Sequence, residues 1–237
     1  MVQWSKGPKV QKMRERVHCE ELLDAGSGSD QDVAASLADL RRINRWLGGA
    51  RVLRTLLAAQ VRRLGLTRFS LLDAGAGSAD LAAAVRRWYP AASVTACDLH
   101  WRHLRMSLEP DRASVGLVCA DFFRQPFQPR SFDFVAASLF VHHFTDAELP
   151  VVLQKLARLA RQALLINDLD RHWIPLAFLR LAAPVFARSP ITRFDAPASI
   201  HRGFRSGELE RAARAAGFDH FRSAWHFPFR RSLVIEL

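Results

Sequence analysis

From residue 66 onwards, short apolar runs alternate with amphipathic helix patterns, and this alternation limits the possible folds more than any other feature. A repeated strand–helix–strand unit predicts a parallel sheet with helices on both faces. The candidate strands are 69–73, 93–97, 115–119, 132–137, 163–167, 218–226 and 231–236. The candidate helices among them are 79–88, 101–107, 146–161 and 206–216.

The last two candidate strands are joined by His226-Phe227-Pro228-Phe229, which leaves no room for a helix. Two strands joined in this way pair antiparallel, as a hairpin. The sequence therefore predicts an α/β fold whose seven-stranded, doubly wound sheet ends in a C-terminal antiparallel hairpin. An all-parallel dinucleotide-binding sheet is not expected.

Three segments lie outside the alternating pattern. Residues 1–30 are basic, then acidic, then rich in Gly and Ser, which is typical of a flexible basic arm. Residues 31–65 carry apolar residues at helical spacing and predict two N-terminal helices, divided by Gly48-Gly49, at the start of one domain over 31–237. Residues 169–205 form an insertion at the carboxyl edge of the sheet, where ligands bind. They predict a helical lid or substrate wall, and an ordinary packing helix with a loop is the alternative.

The segment from Asp73 to Ala79 follows the first strand and opens a helix. Its glycines, Gly75 and Gly77, allow a tight turn and a close approach of the backbone to a ligand. The helix N-terminus adds unpaired N–H groups. The spacing differs from the G-x-G-x-x-G of NAD sites, and Asp73 would repel a pyrophosphate. An acid here can orient the cationic amino group of a methionine moiety, which favours S-adenosylmethionine over NAD.

Two more acids follow strands at the same predicted edge. Asp98 ends the second strand about 20 residues after the turn, where a carboxylate can hold ribose hydroxyls. Asp121 follows the third strand and can accept from an adenine amino group while Phe122 or Phe123 covers the ring. Each acid alone is more often a strand-end cap, but acids at three strand ends predict one nucleoside ligand.

From about residue 66 to 168 the chain resembles the class I S-adenosylmethionine-dependent methyltransferases, in their ubiquinone/menaquinone-biosynthesis-like (type 11) branch. The matching segments are LLDAGAGSADL, VTACDLH, ADFFRQPF and SFDFVAASLFVHHF. The resemblance implies the class I methyltransferase fold and S-adenosylmethionine as cofactor. The cofactor-binding residues that we expect at these strand ends are Asp73, Gly75, Gly77, Asp98, Leu99, Asp121, Phe122 and Ser138. Ala79 departs from the family, which usually has a third glycine there.

Outside that core, residues 37–49 and 188–193 look similar to bacterial members that methylate phenolic or polyketide-like metabolites. On that comparison Asn44 and Arg41 reach the carboxylate of the cofactor. Their alternative role is that of surface residues on an amphipathic helix.

Two histidines and an acid follow adjacent strands. His142 and His143 come after the fourth strand and Asp168 after the fifth, so the topology brings them to one edge. Methyl transfer requires positioning of the donor and deprotonation of the acceptor. An aspartate on the far nitrogen of a histidine fixes its tautomer and raises its basicity. The pattern predicts a His–Asp base for a phenol, with packing histidines or catalysis by proximity alone as alternatives. No metal site is expected, because two adjacent histidines diverge unless the loop is bent; metal ligation by His142, His143 and Asp168 stays open as a further alternative.

The insertion and its flanks carry aromatic and positively charged side chains that could hold an aromatic acceptor. The candidate substrate residues are His172, Trp173, Phe178, Arg193, His201 and Arg202.

The net charge of +11 comes almost entirely from arginines scattered among alanine and leucine, which indicates a solvated basic surface rather than a nucleic-acid site. Broken apolar runs, a charged N-terminus and an odd number of cysteines favour a cytoplasmic protein without a membrane partner. We expect an O-methyltransferase of a small aromatic, phenolic or polyketide-like metabolite in bacterial secondary metabolism. C-methylation of a quinone-type ring, RNA or protein methylation, and a noncatalytic cofactor-binding scaffold remain open, as does the choice between monomer and homodimer.

Overall fold

A computed structural model describes residues 13, 15–17, 21–106, 114–124 and 126–237. Within these residues a seven-stranded sheet has the order β3-β2-β1-β4-β5-β7-β6. The strands are β1 (Ser70–Ala74), β2 (Ser93–Asp98), β3 (Gly116–Cys119), β4 (Phe132–Ser138), β5 (Ala160–Leu169), β6 (Phe221–His226) and β7 (Arg230–Glu236). The α-helices are α1 (Asp30–Trp46), α2 (Gly49–Leu64), α3 (Asp80–Trp88), α4 (Trp101–Arg105), α5 (Leu149–Leu159), α6 (Trp173–Phe186), α7 (Pro190–Arg202) and α8 (Glu208–Ala215).

The first five strands pair parallel, and β7 pairs antiparallel with both β5 and β6. The predicted doubly wound sheet with a terminal hairpin is therefore confirmed. Strand β5 is longer than the predicted 163–167 at both ends. Its start pairs with Phe132 of β4, and its end, Leu169, pairs with Arg230 of β7.

Helices cover both faces of the sheet. Leucines of α5 and α8, such as Leu153 and Leu209, bury one face, and leucines of α2 and α3, such as Leu57 and Leu81, bury the other. The central strand β4 is therefore apolar without alternation, and its residues from Phe134 to Ala137 are fully buried. The burial of each large apolar side chain contributes about 1.5–3 kcal/mol. The core lies beneath the carboxyl edge and fixes the positions of the strand ends there.

The predicted break at Gly48-Gly49 separates α1 from α2. Gly48 is in the left-handed region, with φ 85°. A side chain at Gly49 would collide with Asn44, so the sharp corner needs both glycines. Helix α1 begins with a capping box, in which Ser29 and Asp32 each accept a backbone N–H of the other.

The prediction of a flexible arm over residues 1–30 is wrong for the described part of that segment. Met13, Glu21 and Leu23 are buried, and the backbone N–H groups of Leu22 and Leu23 donate to Asp195 of α7. The acids of the segment match positive groups elsewhere in the fold, which composition alone does not reveal. Residues 1–12, 14 and 18–20 lie outside the described residues.

The insertion contains helices α6 and α7, with α7 packed against α1 and against the loop after β4. Helix α6 presents apolar side chains at the surface, including Trp173 and Leu181. No helix of the described segments is long and apolar enough to cross a membrane.

Candidate functional site

A cavity of about 720 Å³ opens at the carboxyl edge of the sheet. The ends of β1, β2, β4 and β5, helices α1 and α6, and the turn between β6 and β7 contribute its walls. Every predicted cofactor residue except Arg41 lines it: Asn44, Asp73, Gly75, Gly77, Asp98, Leu99, Asp121, Phe122 and Ser138. The strand-end pattern in the sequence therefore converges on one space.

The glycine-rich turn requires glycine at both positions 75 and 77. Gly75 and Gly77 have φ of 69° and 53°, in the left-handed region that other residues avoid. A Cβ at Gly75 would also overlap the ring of Phe140, which lies directly against the turn. A Cβ at Gly77 would meet only Leu37, at 4.0 Å. The backbone is thus covered by Phe140 at Gly75 and open at Gly77.

Asp73 presents an unsatisfied carboxylate oxygen at the mouth of the turn. The residue is 3% exposed, and its Oδ2 has no hydrogen-bond partner among the described residues. Burial, together with the nearby carboxylates of Asp80 and Asp98, raises the pKa of Asp73 to about 8. Asn44 Oδ1 is also buried without a partner. Buried acceptors of this kind suit a ligand with a cationic amino group.

Asp98 shapes the turn from the end of β2. Its Oδ2 accepts the N–H of Gly77 at 2.8 Å, and its Oδ1 accepts the N–H of His100 at 2.9 Å. These two bonds hold the carboxylate in one orientation beside the cavity.

Asp121 caps the short 3₁₀ turn Phe122–Arg124 by accepting the N–H of Phe123 at 2.8 Å. Phe122 is 7% exposed and packs into the core, whereas Phe123 is 37% exposed. Both rings line the cavity, and their centroids lie 5.6 Å apart. Phe123 therefore offers the more open face for a planar ligand.

His142 and Asp168 form a buried pair. His142 Nδ1 lies 2.7 Å from Asp168 Oδ1, and the backbone N–H of His142 donates to Asp168 Oδ2 at 3.2 Å. Asp168 stands behind the histidine, which itself lines the cavity. The other ring nitrogen, Nε2, has no hydrogen-bond partner among the described residues. Burial lowers the pKa of His142, but the carboxylates of Asp168 and Glu21 outweigh it and raise the pKa to about 9.

Glu21 is a site residue that the sequence does not reveal. Its Oε1 lies 3.7 Å from His142 Nε2 and accepts hydrogen bonds from Ser199 and Arg202 at 2.8 and 3.1 Å. The acidic stretch around residue 21 was the available signal, but nothing in its spacing points to His142. The N-terminal segment therefore supplies a second carboxylate to the histidine.

His143 is not part of the buried pair. Its Nδ1 lies 2.7 Å from Asp24 Oδ2 and 3.3 Å from Arg202 Nη1. The rings of His142 and His143 are 4.2 Å apart, yet they have different acidic partners. Both histidines line the cavity, but His142 is paired with a fully buried carboxylate, whereas the partner of His143 is half exposed.

Glu21, His142 and His143 each place one ligand atom within 4.8 Å of the others, close enough for a metal ion. The same Glu21 is bonded to Arg202, whose guanidinium also lies beside His143. A positive charge at that position repels a bound cation. We therefore interpret these three residues as members of ion pairs and not as a metal site.

The predicted substrate residues separate into one that lines the cavity and five that do not. Phe178 lines it. The other five do not: His172 caps α6, Trp173 is 56% exposed, Arg193 donates to the Ala187 carbonyl, and His201 and Arg202 are buried in α7, where Arg202 donates to Glu21. Arg41 likewise does not line the cavity.

Arg230 lines the cavity although the sequence analysis did not select it. Its side chain is almost completely buried, at 1% exposed. An arginine at the start of a strand is usually a surface residue, so the sequence did not predict that Arg230 lines the cavity.

Comparisons with known proteins agree with this architecture. Residues 71–163 match a family model described as a methyltransferase domain. A search of curated protein sequences finds no significant match.

Several solved methyltransferases are similar in structure. Human N-acetylserotonin methyltransferase in complex with S-adenosylmethionine has a TM-score of 0.63 at 14% identity, over 93% of this chain and 60% of that one. Plantazolicin methyltransferase with S-adenosylhomocysteine has a TM-score of 0.64 at 13% identity, over 87% and 95% of the two chains. Magnesium protoporphyrin IX methyltransferase of Synechocystis, also with S-adenosylhomocysteine, has a TM-score of 0.58 at 16% identity, over 84% and 92%. The chain thus spans about 60% of the length of the human protein. At these identities the likeness shows the fold, and the predicted class I methyltransferase fold is confirmed.

Proposed function

We propose that this chain, with a methyltransferase domain over residues 71–163 in a class I methyltransferase fold, methylates a hydroxyl group of a small aromatic acceptor. The protein is an S-adenosylmethionine-dependent methyltransferase. One observation carries the proposal: Asp73, whose Oδ2 has no hydrogen-bond partner among the described residues, and His142, held by Asp168, line the same cavity. Two of the similar structures, N-acetylserotonin and magnesium protoporphyrin IX methyltransferases, are named for small-molecule acceptors.

The strand ends hold the cofactor. Asp73 binds its amino group, Asp98 its ribose hydroxyls, and Asp121 with Phe123 its adenine. The open backbone at Gly77 admits the cofactor to the turn. When bound, the cofactor supplies a methyl group on a positively charged sulfur.

His142 removes the proton from the acceptor. Asp168 keeps the proton of the neutral ring on Nδ1, which leaves the lone pair on Nε2 directed away from Asp168. The acceptor O–H bond breaks and its proton moves to Nε2. The deprotonated oxygen would then take the methyl group as the carbon–sulfur bond breaks, which would leave S-adenosylhomocysteine. The cavity wall of Phe140, Phe144 and Phe178 suits an aromatic ring. This wall supports a phenolic or polyketide-like acceptor, as in the bacterial type 11 branch that the sequence resembles.

Binding and turnover test this function separately. Titration calorimetry should show that the wild-type protein and the His142→Ala variant bind S-adenosylhomocysteine equally well. A panel of phenols with S-adenosylmethionine, analysed by mass spectrometry, should then show methylation by the wild type alone. No binding of the nucleoside would refute the enzyme, and binding without turnover on any acceptor would support a scaffold role. NMR of the product separates O-methylation from C-methylation of a quinone-type ring.

A further inference from the structure

Arg230 carries a buried charge that no group of the described chain neutralises by contact. Its Nε donates to the backbone carbonyl of Leu47 at 3.3 Å. Its Nη1 and Nη2 are fully buried and have no hydrogen-bond partner among the described residues. A buried guanidinium without a partner is costly to the folded protein, so its retention beside a cavity points to a ligand.

Asp168 does not serve as that partner, although it belongs to the neighbouring strand. Its Oδ1 accepts from His142 Nδ1 and from the N–H of Leu169, and its Oδ2 accepts the N–H of His142. The described residues include no ion pair between Asp168 and Arg230. Burial lowers the pKa of Arg230 to about 10, while Asp168 opposes this shift, so the guanidinium stays charged at neutral pH.

Arg230 lies on the acceptor side of the cavity. It begins β7 and pairs with Leu169, the residue after Asp168. Strand β7 is separated from β1 by β4 and β5, which places it about 14 Å from the glycine-rich turn at the usual strand spacing. Arg230 therefore stands beside the strand that carries Asp168, the partner of the proposed base, and away from the glycine-rich turn.

The surroundings of Arg230 are apolar. Phe227, Pro228 and Phe229 of the turn before β7 line the same cavity, as does Leu47 across from it. A planar guanidinium with two donor groups in such walls matches a carboxylate, which accepts both in a bidentate pair. The apolar walls match the ring that carries the carboxylate.

We propose that Arg230 binds a carboxylate of the acceptor, so that the substrates of this enzyme are hydroxylated aromatic acids. This inference rests on the proposed function. An acceptor of this class engages Arg230 through its carboxylate and His142 through its hydroxyl. Loss of the carboxylate from the acceptor, by conversion to an amide, leaves the guanidinium buried and unpaired in the complex.

The test compares matched acids and amides. Titration calorimetry is carried out on the complete protein saturated with S-adenosylhomocysteine, using ortho-, meta- and para-hydroxybenzoate, the hydroxynaphthoates, and the primary amide of each. We expect at least one acid to bind about tenfold or more tightly than its amide. Arg230→Met should reduce this preference to less than about twofold, because the charge-assisted bonds are lost.

Arg222→Met is the control, since it removes the same charge from an exposed position on β6 that does not line the cavity. It should leave the preference unchanged, and melting curves establish that both variants are folded. The absence of a preference in every acid–amide pair, or its survival in Arg230→Met, overturns the inference. The methionine carboxylate of the cofactor is the other possible partner, and loss of S-adenosylhomocysteine affinity in Arg230→Met would assign the guanidinium to it. Failure of the wild type to bind S-adenosylhomocysteine would instead contradict the proposed function itself.

Discussion

Asp168 binds His142 at two points, with one oxygen 2.7 Å from the ring Nδ1 and the other 3.2 Å from the backbone nitrogen. The two contacts join the end of β4 to β5 and fix both the loop and the ring. Rotation of the imidazole would break the ring contact, so Nε2 keeps its direction. The orientation of the proposed base therefore depends on one buried carboxylate.

Asp168→Asn should lower kcat by about a hundredfold, because an amide can donate to Nδ1 and so favour the wrong tautomer. The affinity for S-adenosylhomocysteine should stay within about twofold of the wild type, since Asp168 does not line the cavity. Steady-state kinetics and calorimetry measure the two quantities. Asp219→Asn, at an exposed position, is the matched control. Wild-type kcat in Asp168→Asn would exclude the pair from catalysis.

The pH dependence of the reaction should report on His142. Its pKa of about 9 means that the free enzyme holds the ring protonated at neutral pH, so kcat/KM should rise as the pH increases towards 9. Asp168 and Glu21 face the ring, and His143 and Arg202 lie beside Glu21. Glu21→Gln removes one negative charge next to Nε2 and should move the rising limb to lower pH.

The measurement is kcat/KM across the pH range for both proteins with one acceptor. The kcat/KM of Glu21→Gln should exceed that of the wild type at neutral pH and should equal it at pH values above the rising limb. Identical limbs would show that Glu21 does not set the protonation of His142. Ser199→Ala, which removes only a hydrogen bond to Glu21, should change the profile less.

Asp73→Asn should separate stability from cofactor binding. The folded-state pKa of Asp73 is about 8, far above the 3.8 of an unperturbed aspartate. The stability of the free protein therefore falls as the pH rises from 3.8 to about 8, because the unfolded chain ionises first. The amide avoids this loss and should stabilise the free protein by an amount on the order of 1 kcal/mol at neutral pH.

The same variant should bind S-adenosylhomocysteine at least about tenfold more weakly, since it loses a charge-assisted bond to the amino group. Denaturant titration of the free protein and calorimetry with the nucleoside give the two results. A variant that is destabilised, or that keeps full affinity, would contradict the role assigned to Asp73.

Gly75→Ala should lower the free energy of unfolding more than Gly65→Ala does, although both glycines lie in the left-handed region. Gly65 has φ 62° and open space at the position of a Cβ, so Gly65→Ala reports backbone strain alone, about 1 kcal/mol. At Gly75 the strain is similar, but the new methyl group also displaces the ring of Phe140. We expect a larger loss in the free energy of unfolding and a marked loss of nucleoside affinity. Equal losses of unfolding free energy in Gly65→Ala and Gly75→Ala would mean that the Phe140 ring moves aside without destabilising the protein.

The sequence predicted the features that depend on local pattern and on topology. Unbroken apolar strands identified the sheet, and the rule that parallel strands end at one edge predicted that His142 lies close to Asp168. Glu21 and Arg230 were missed because their roles depend on which distant groups the fold places around them. His201 and Arg193 do not line the cavity, and the sequence could not show this because the rotation of an inserted helix about its axis cannot be read from its composition.

The cavity draws on residues from Glu21 near the start of the chain to Arg230 near its end. The hydrogen bond between Arg230 and Leu47 alone spans 183 positions. Contacts so distant in sequence form late in folding, since a long loop must first be closed. During synthesis on the ribosome, the growing chain cannot complete the site until β7 has emerged. A fragment that ends before Arg230 lacks part of the site, so cofactor binding can serve as an assay for finished folding.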